Sequence, residues 1–210
     1  MRQRGMSSIA ASTPSSDTPA SWSLPAARLL STAVGPAAAA SVLLLESGVV
    51  YGAPWAGLLA LLFAAALPAG GLIALSRMGV IQDRHVSVQR ERFGVFGGIV
   101  LSLATCIALL ALLRAPVEVI AILLAAIAGL GLAALLNIFL KLSIHLAVAT
   151  FVVGMQVAFF GEPGWITAVI LPALAWSRVR LKAHTWPQVI VGSLAGVLIL
   201  GLYLEAGKYL

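Results

Sequence analysis

VEVIAILLAAIAGLGLAALLNIFLKLSIHLAVATFVVGMQVAFF, residues 117–160, decides the architecture of this chain. The stretch contains no proline, and its polar punctuation is concentrated at Asn137, Lys141, Ser143 and His145. Drawn as one helix it would run about 66 Å at 1.5 Å per residue, roughly twice the hydrocarbon thickness of a bilayer. The chain must therefore turn, and the polar cluster is where a turn can be solvated. Two apolar segments result, 117–139 and 143–160. Ser143 and His145 then fall in the first turn of the second, where free backbone N–H groups and the helix dipole favour an anion.

Working outward, the whole chain has the same character. Of its 210 residues 61% are hydrophobic and 10% charged, with a mean hydropathy of +1.06. Soluble domains hold about 45–50% apolar and about 25% charged residues, so the composition predicts an integral membrane protein. Seven apolar stretches are expected, at 27–50, 55–76, 94–113, 117–139, 143–160, 164–177 and 187–204. The sixth is short and carries Pro172, which suggests a kinked or partial span. Lipid demands internally satisfied backbone groups, and the alternation of a membrane barrel is absent. The fold class is accordingly all-α: a polytopic bundle of six to seven transmembrane helices over residues 25–210. Residues 1–24, rich in Ser, Thr, Pro and Ala, read as a disordered tail without the apolar region of a secretory signal.

The charges sort by side. The loop 77–92, the turn 137–143, the loop 177–187 and the tail fall on one face by parity. That face carries eleven of the thirteen Lys and Arg residues; Arg114 and Lys208 lie opposite, with Glu46, Glu118, Glu162 and Glu205. The positive-inside bias predicts a cytoplasmic N-terminus and cytoplasmic site loops, in a bacterial inner membrane. The net charge of +6 is thus a matter of topology, with the bilayer as partner and no nucleic acid. Trp22, Trp55, Trp165, Trp176 and Trp186 sit near the expected borders, as an aromatic belt would. Cys106 lies in an apolar run and reads as a small buried hydrophobe.

Three loops on one face bring together the chemistry. The first holds Asp83, Arg84, Arg90 and Arg92; the second Lys141, Ser143 and His145; the third Ser177, Arg178, His184 and Gln188. A phosphate ester needs fixed cationic donors, an in-line nucleophile and an acid for the leaving group. Arginine matches two phosphate oxygens with its planar fork, and histidine titrates near working pH. Ionisable groups beside membrane spans are functional candidates in their own right.

The third of these stretches resembles a signature of the type-2 phosphatidic acid phosphatase family: Ser177-Arg178, five residues, His184, and then a helix with glycines at 192 and 196. The second stretch is similar to the family's proline-serine-glycine-histidine signature at Ser143 and His145 only, with Leu142 and Ile144 in the other two places. The first matches in character alone, and no proline follows it. The resemblance spans about residues 82–200. It implies His184 as the nucleophile of a metal-independent, cofactor-free lipid phosphatase, passing through a phosphohistidine. His145 would be the general acid, with Arg178, Ser143, Lys141, Arg84, Arg90 and Arg92 binding phosphate. The family's orienting aspartate is replaced by Gln188, leaving Gln188 or Asp83 to orient the imidazole. The implied substrate is a prenyl phosphate or diphosphate, or a phosphatidate-like lipid.

Rival readings are weighed by what they require. A membrane prenyltransferase needs aspartate-rich Mg²⁺ sites, and the chain has only Asp17 and Asp83. The His-Glu-x-x-His of a metalloprotease is absent. Ser193 is not set as a rhomboid-type protease would require, and no internal repeat of the transporter kind is evident. His184 could merely cap a helix, and Asn137, Lys141 and His145 recur every four residues as a helical stripe would. The arginines at 84, 90 and 92 could be headgroup anchors, His85 a solvated loop residue, and Arg180 and Lys182 headgroup contacts. Gly94/Gly98 and Gly192/Gly196 have the spacing of close helix packing. The alternative to an enzyme is a catalytically impaired relative that binds anionic headgroups or scaffolds a partner.

Overall fold

The computed structural model describes residues 22–78 and 89–209, with 89–96 described by backbone alone. All regular structure among them is helical. The helices are α1 (Ser23–Ala33), α2 (Pro36–Val50), α3 (Pro54–Leu61), α4 (Leu67–Arg77), α5 (Gln89–Leu112), α6 (Val117–Asn137), α7 (Ile144–Phe160), α8 (Ile170–Arg180) and α9 (Trp186–Ala206). Four stretches are long and apolar enough to cross a membrane: Ser23–Val50, Pro54–Arg77, Val117–Asn137 and Trp186–Ala206. Gly97–Leu112 and Ile144–Phe160 are shorter apolar helices.

The turn expected in 117–160 lies between Asn137 and Ile144. Lys141 occupies the left-handed region there, at φ 46°. Asn137, Lys141 and His145 therefore share no helix, which removes the helical-stripe reading.

Prolines shape the other elements. The first apolar stretch is broken at Gly35, whose ψ of 156° is extended, as a residue preceding proline prefers. Pro36 then starts α2 at a position where its missing N–H costs nothing. Pro68 removes the donor that would serve the Ala64 carbonyl, and the chain widens into a π-helical segment, Leu62–Ala66. Ser102 Oγ donates to the Phe63 carbonyl in that segment at 2.6 Å. The sixth stretch opens as a 3₁₀ helix, Glu162–Val169, and continues as α8. Pro172 is tolerated in the first turn of the α-helix.

The main core joins α2, α3, α5, α6, α7 and α9 around Leu44, Leu110, Ile122, Leu123 and Met155. A smaller one, Leu146, Ala149, Leu174 and Val189, seats α8 against α7 and α9. Helices α7 and α9 meet backbone to backbone. A Cβ at Gly192 would collide with the Ser143 carbonyl, and one at Gly196 with that of Ala147. The Gly192/Gly196 spacing is thus a packing device, and it brings the start of α7 against the start of α9. At the far end of the bundle Gln156 Nε2 donates to Glu46 Oε2, and the Tyr51 and Tyr203 hydroxyls lie 3.4 Å apart.

Candidate functional site

Helix starts α7 and α9 and the end of α8 converge on one end of the bundle. Ser143, the residue before α7, is fully buried, and its backbone N–H donates to the Gln188 carbonyl of α9 at 3.1 Å. The turn after α8 folds back tightly, with the N–H groups of Ala183 and His184 both reaching the Arg178 carbonyl, at 3.1 and 3.3 Å. His184 is thereby fixed beside Arg178. His145, in the first turn of α7, lies within electrostatic reach of both Arg178 and His184. Lys141 faces His184 in the same way. Five residues singled out from the sequence, Lys141, Ser143, His145, Arg178 and His184, thus form one cluster.

Three atoms of this cluster are buried without a hydrogen-bond partner among the described residues: Ser143 Oγ, Arg178 Nε and His184 Nδ1. The fourth such atom, Thr150 Oγ1, lies seven residues further along α7, about 10 Å away at the helical rise. A buried polar atom left unpaired costs about 1–3 kcal/mol. Unpaired buried atoms on three residues at this end of the bundle fit a polar group supplied from outside the chain. Their chemistry is that of an anion site: a guanidinium, a hydroxyl and an imidazole.

Electrostatics keep the imidazole of His184 neutral. Burial, then the Arg178 guanidinium and the Lys141 ammonium, hold its pKa below the ordinary histidine value, while the Leu142 carbonyl near the ring opposes them. A neutral ring retains the lone pair a nucleophile needs.

Gln188 does something other than orient His184. Its side-chain oxygen accepts from the Thr185 N–H at 3.1 Å and, with the Thr185 side chain on the N–H of Gln188, completes a capping box at the start of α9. Engaged in this way, the Gln188 carbonyl does not take the aspartate's place beside His184 Nδ1. Asp83, Arg84, Arg90 and Arg92 belong to residues whose side chains lie outside the described part of the structure; the same holds for His85 and Gly94.

A contribution from α1 goes beyond the sequence reading. Ser23, Ala27 and Ser31 recur every four residues on its buried face. Arg178 Nη1 donates to Ser31 Oγ at 2.6 Å, and Arg180 to Ser23 Oγ at 2.9 Å through Nη2. Ser177 Oγ donates to the Ala27 carbonyl at 2.8 Å. Arg180 therefore binds α1, where a lipid headgroup contact was expected. The signal was present as small residues at i, i+4 and i+8 in front of the Gly35-Pro36 break.

No family model, curated protein or solved structure matches this chain.

Proposed function

We propose that this protein is an integral membrane lipid phosphatase that hydrolyses a lipid phosphate or diphosphate through a histidine nucleophile. The observation that carries the reading is the coincidence of three unpaired buried atoms, Ser143 Oγ, Arg178 Nε and His184 Nδ1, in one cluster. Arg178 and Lys141 bind the phosphate oxygens, with Ser143 donating its hydroxyl. His184 attacks phosphorus as the bond to the lipid oxygen breaks, and His145, having first taken up a proton from water, gives it to that oxygen. Water, deprotonated by His145, then displaces phosphate from the phosphohistidine and restores both imidazoles. Asp83 and Arg84, before α5, and Arg90 and Arg92, in its first turn, would complete the site.

The same reading takes α5 and α7 and the segment Glu162–Arg180 as further crossings, which makes six to seven spans. The positive-inside bias supports a cytoplasmic face for the cluster, and the Ala/Leu/Arg-rich usage supports a bacterial inner membrane.

Gln188 favours a second reading. Its place in the capping box leaves His184 without a carboxylate partner among the described residues, so the protein would bind anionic headgroups without turnover. Phosphate release from detergent-solubilised prenyl and glycerolipid phosphates, without added metal, separates the two. The enzyme reading expects release by the parent, loss in His184→Ala and a ³²P label trapped on histidine. No release from the parent or from Gln188→Asp, with headgroup binding abolished by Arg178→Ala, would establish the binder instead.

A further inference from the structure

Two arginines of α8 dock on one face of α1, and they present different sides of the guanidinium to it. The Nε–H and an Nη2–H of arginine lie side by side and form the fork that grips two oxygens of a carboxylate or phosphate. Arg180 gives that fork to the helix: its Nε and Nη2 both donate to Ser23 Oγ, at 3.1 and 2.9 Å. Arg178 is turned the other way, and its hydrogen bond to α1 runs from Nη1 to Ser31 Oγ at 2.6 Å. Its Nε is buried without a partner, and its Nη2 has none among the described residues. The fork of Arg180 is closed on a serine; that of Arg178 is open.

Ser31 meets the polar cluster with its backbone as well. Its carbonyl lies beside the His145 ring, and the residue is only 7% exposed. The restraint on Arg178 matters because an arginine side chain is long and flexible, and an anion that must first order it binds more weakly. A bond at Nη1 orders the guanidinium while occupying neither prong of the fork. The hydroxyl is also neutral, so it leaves the positive charge undiminished, where a carboxylate in its place would oppose an incoming anion.

We propose that Ser31 is a positioning residue of the anion site: holding Arg178 by Nη1, it keeps the Nε–Nη2 fork ordered and free for two oxygens of a phosphate group. The inference rests on the anion reading of the cluster given above. It extends the site to α1, outside the loops that carry the other groups.

The test is titration calorimetry of the purified full chain with inorganic phosphate, in a buffer free of phosphate and sulfate. Ser31→Ala leaves the charge of Arg178 in place and removes only its restraint. Affinity should fall about tenfold, the scale of one hydrogen bond to a charged group. Ser31→Thr keeps the hydroxyl and should restore binding. Ser31→Cys, similar in size but a weak acceptor, should show the same loss as alanine and replaces it if melting shows Ser31→Ala misfolded. Ser23→Ala separates positioning from the mere docking of α1. It removes the acceptor of two Arg180 hydrogen bonds and should leave phosphate affinity unweakened.

The proposal is overturned if folded Ser31→Ala or Ser31→Cys binds phosphate as the parent does, or if Ser23→Ala loses as much affinity as they do. Arg178→Ala tells this failure from that of the anion reading. If it loses binding while the Ser31 variants keep it, the role of Ser31 alone is wrong. If it binds as the parent does, or the parent binds no phosphate, the anion reading falls and the role of Ser31 with it.

Discussion

Replacing Gly192 by alanine tests how the site end of the bundle is held together. The new methyl would meet the Ser143 carbonyl head-on, with Ser143 Cβ at 3.3 Å behind it. Backbone atoms cannot rotate away, so α7 and α9 must part. Overpacking of this kind costs about 1–3 kcal/mol. Separation also strains the Ser143 N–H to Gln188 hydrogen bond of 3.1 Å, worth about 1 kcal/mol. Alanine's helix preference over glycine returns about 1 kcal/mol. The net expectation is a loss of about 1–3 kcal/mol, or about 2–12 °C in Tm for a chain of this size. The assay is thermal unfolding of the purified protein in detergent, followed by tryptophan fluorescence. Gly201→Ala on the same helix is the control. A Cβ there meets nothing within 4 Å, so the propensity gain stands alone and stability rises by up to about 1 kcal/mol. If Gly192→Ala proves as stable as Gly201→Ala, the close α7–α9 contact is refuted. Inorganic phosphate binding should fall in Gly192→Ala and hold in Gly201→Ala, because only the former displaces Ser143.

Ser31→Ala removes the acceptor from Arg178 Nη1 and should lower unfolding stability by about 1.5–3 kcal/mol, the range for hydrogen bonds to charged groups; Ser31→Thr should restore it. Lys141→Gly relieves a left-handed φ of 46°, which costs a side-chain-bearing residue about 1–2 kcal/mol. Stability should therefore rise while phosphate affinity, measured by titration calorimetry, falls with the lost ammonium. Burial and two neighbouring cations hold the pKa of His184 down, whereas the unfolded ring titrates near about 6.5. The unfolded chain thus takes up a proton that the folded chain resists, so this contribution is intact above about pH 6.5 and is lost as pH falls toward the folded value. Unfolding midpoints measured from pH 8 to 5 should drop on the acid side, and drop less in His184→Gln; parallel curves would contradict the burial of the ring.

Periodicity and length made the helical bundle legible, together with the turn before Ser143, because bilayer thickness leaves few ways to fold a largely apolar stretch of 44 residues. The sequence reading grouped His145, Arg178 and His184 by putting three loops on one face, and the structure brings the three within electrostatic reach of one another. What escaped the sequence reading depended on competition for partners. Thr185 and Gln188 have the spacing of a capping box, and an unsatisfied helix start outbid the imidazole for the glutamine oxygen. Ser31 read as part of an apolar span and Ser23 as part of the tail, because nothing local shows that arginines 147 and 157 residues away would dock on them. The pairing of Glu46 with Gln156 is of the same long-range kind.

The hydroxyls that seat Arg178 and Arg180 have one further consequence. Ser31 and Ser23 orient the two guanidinium groups without neutralising them, and no carboxylate among the described residues pairs with either. Two cations at a membrane border, with only dipoles against them, exert a lasting pull on small oxyanions. Sulfate or orthophosphate in a purification buffer should therefore compete for this end of the protein.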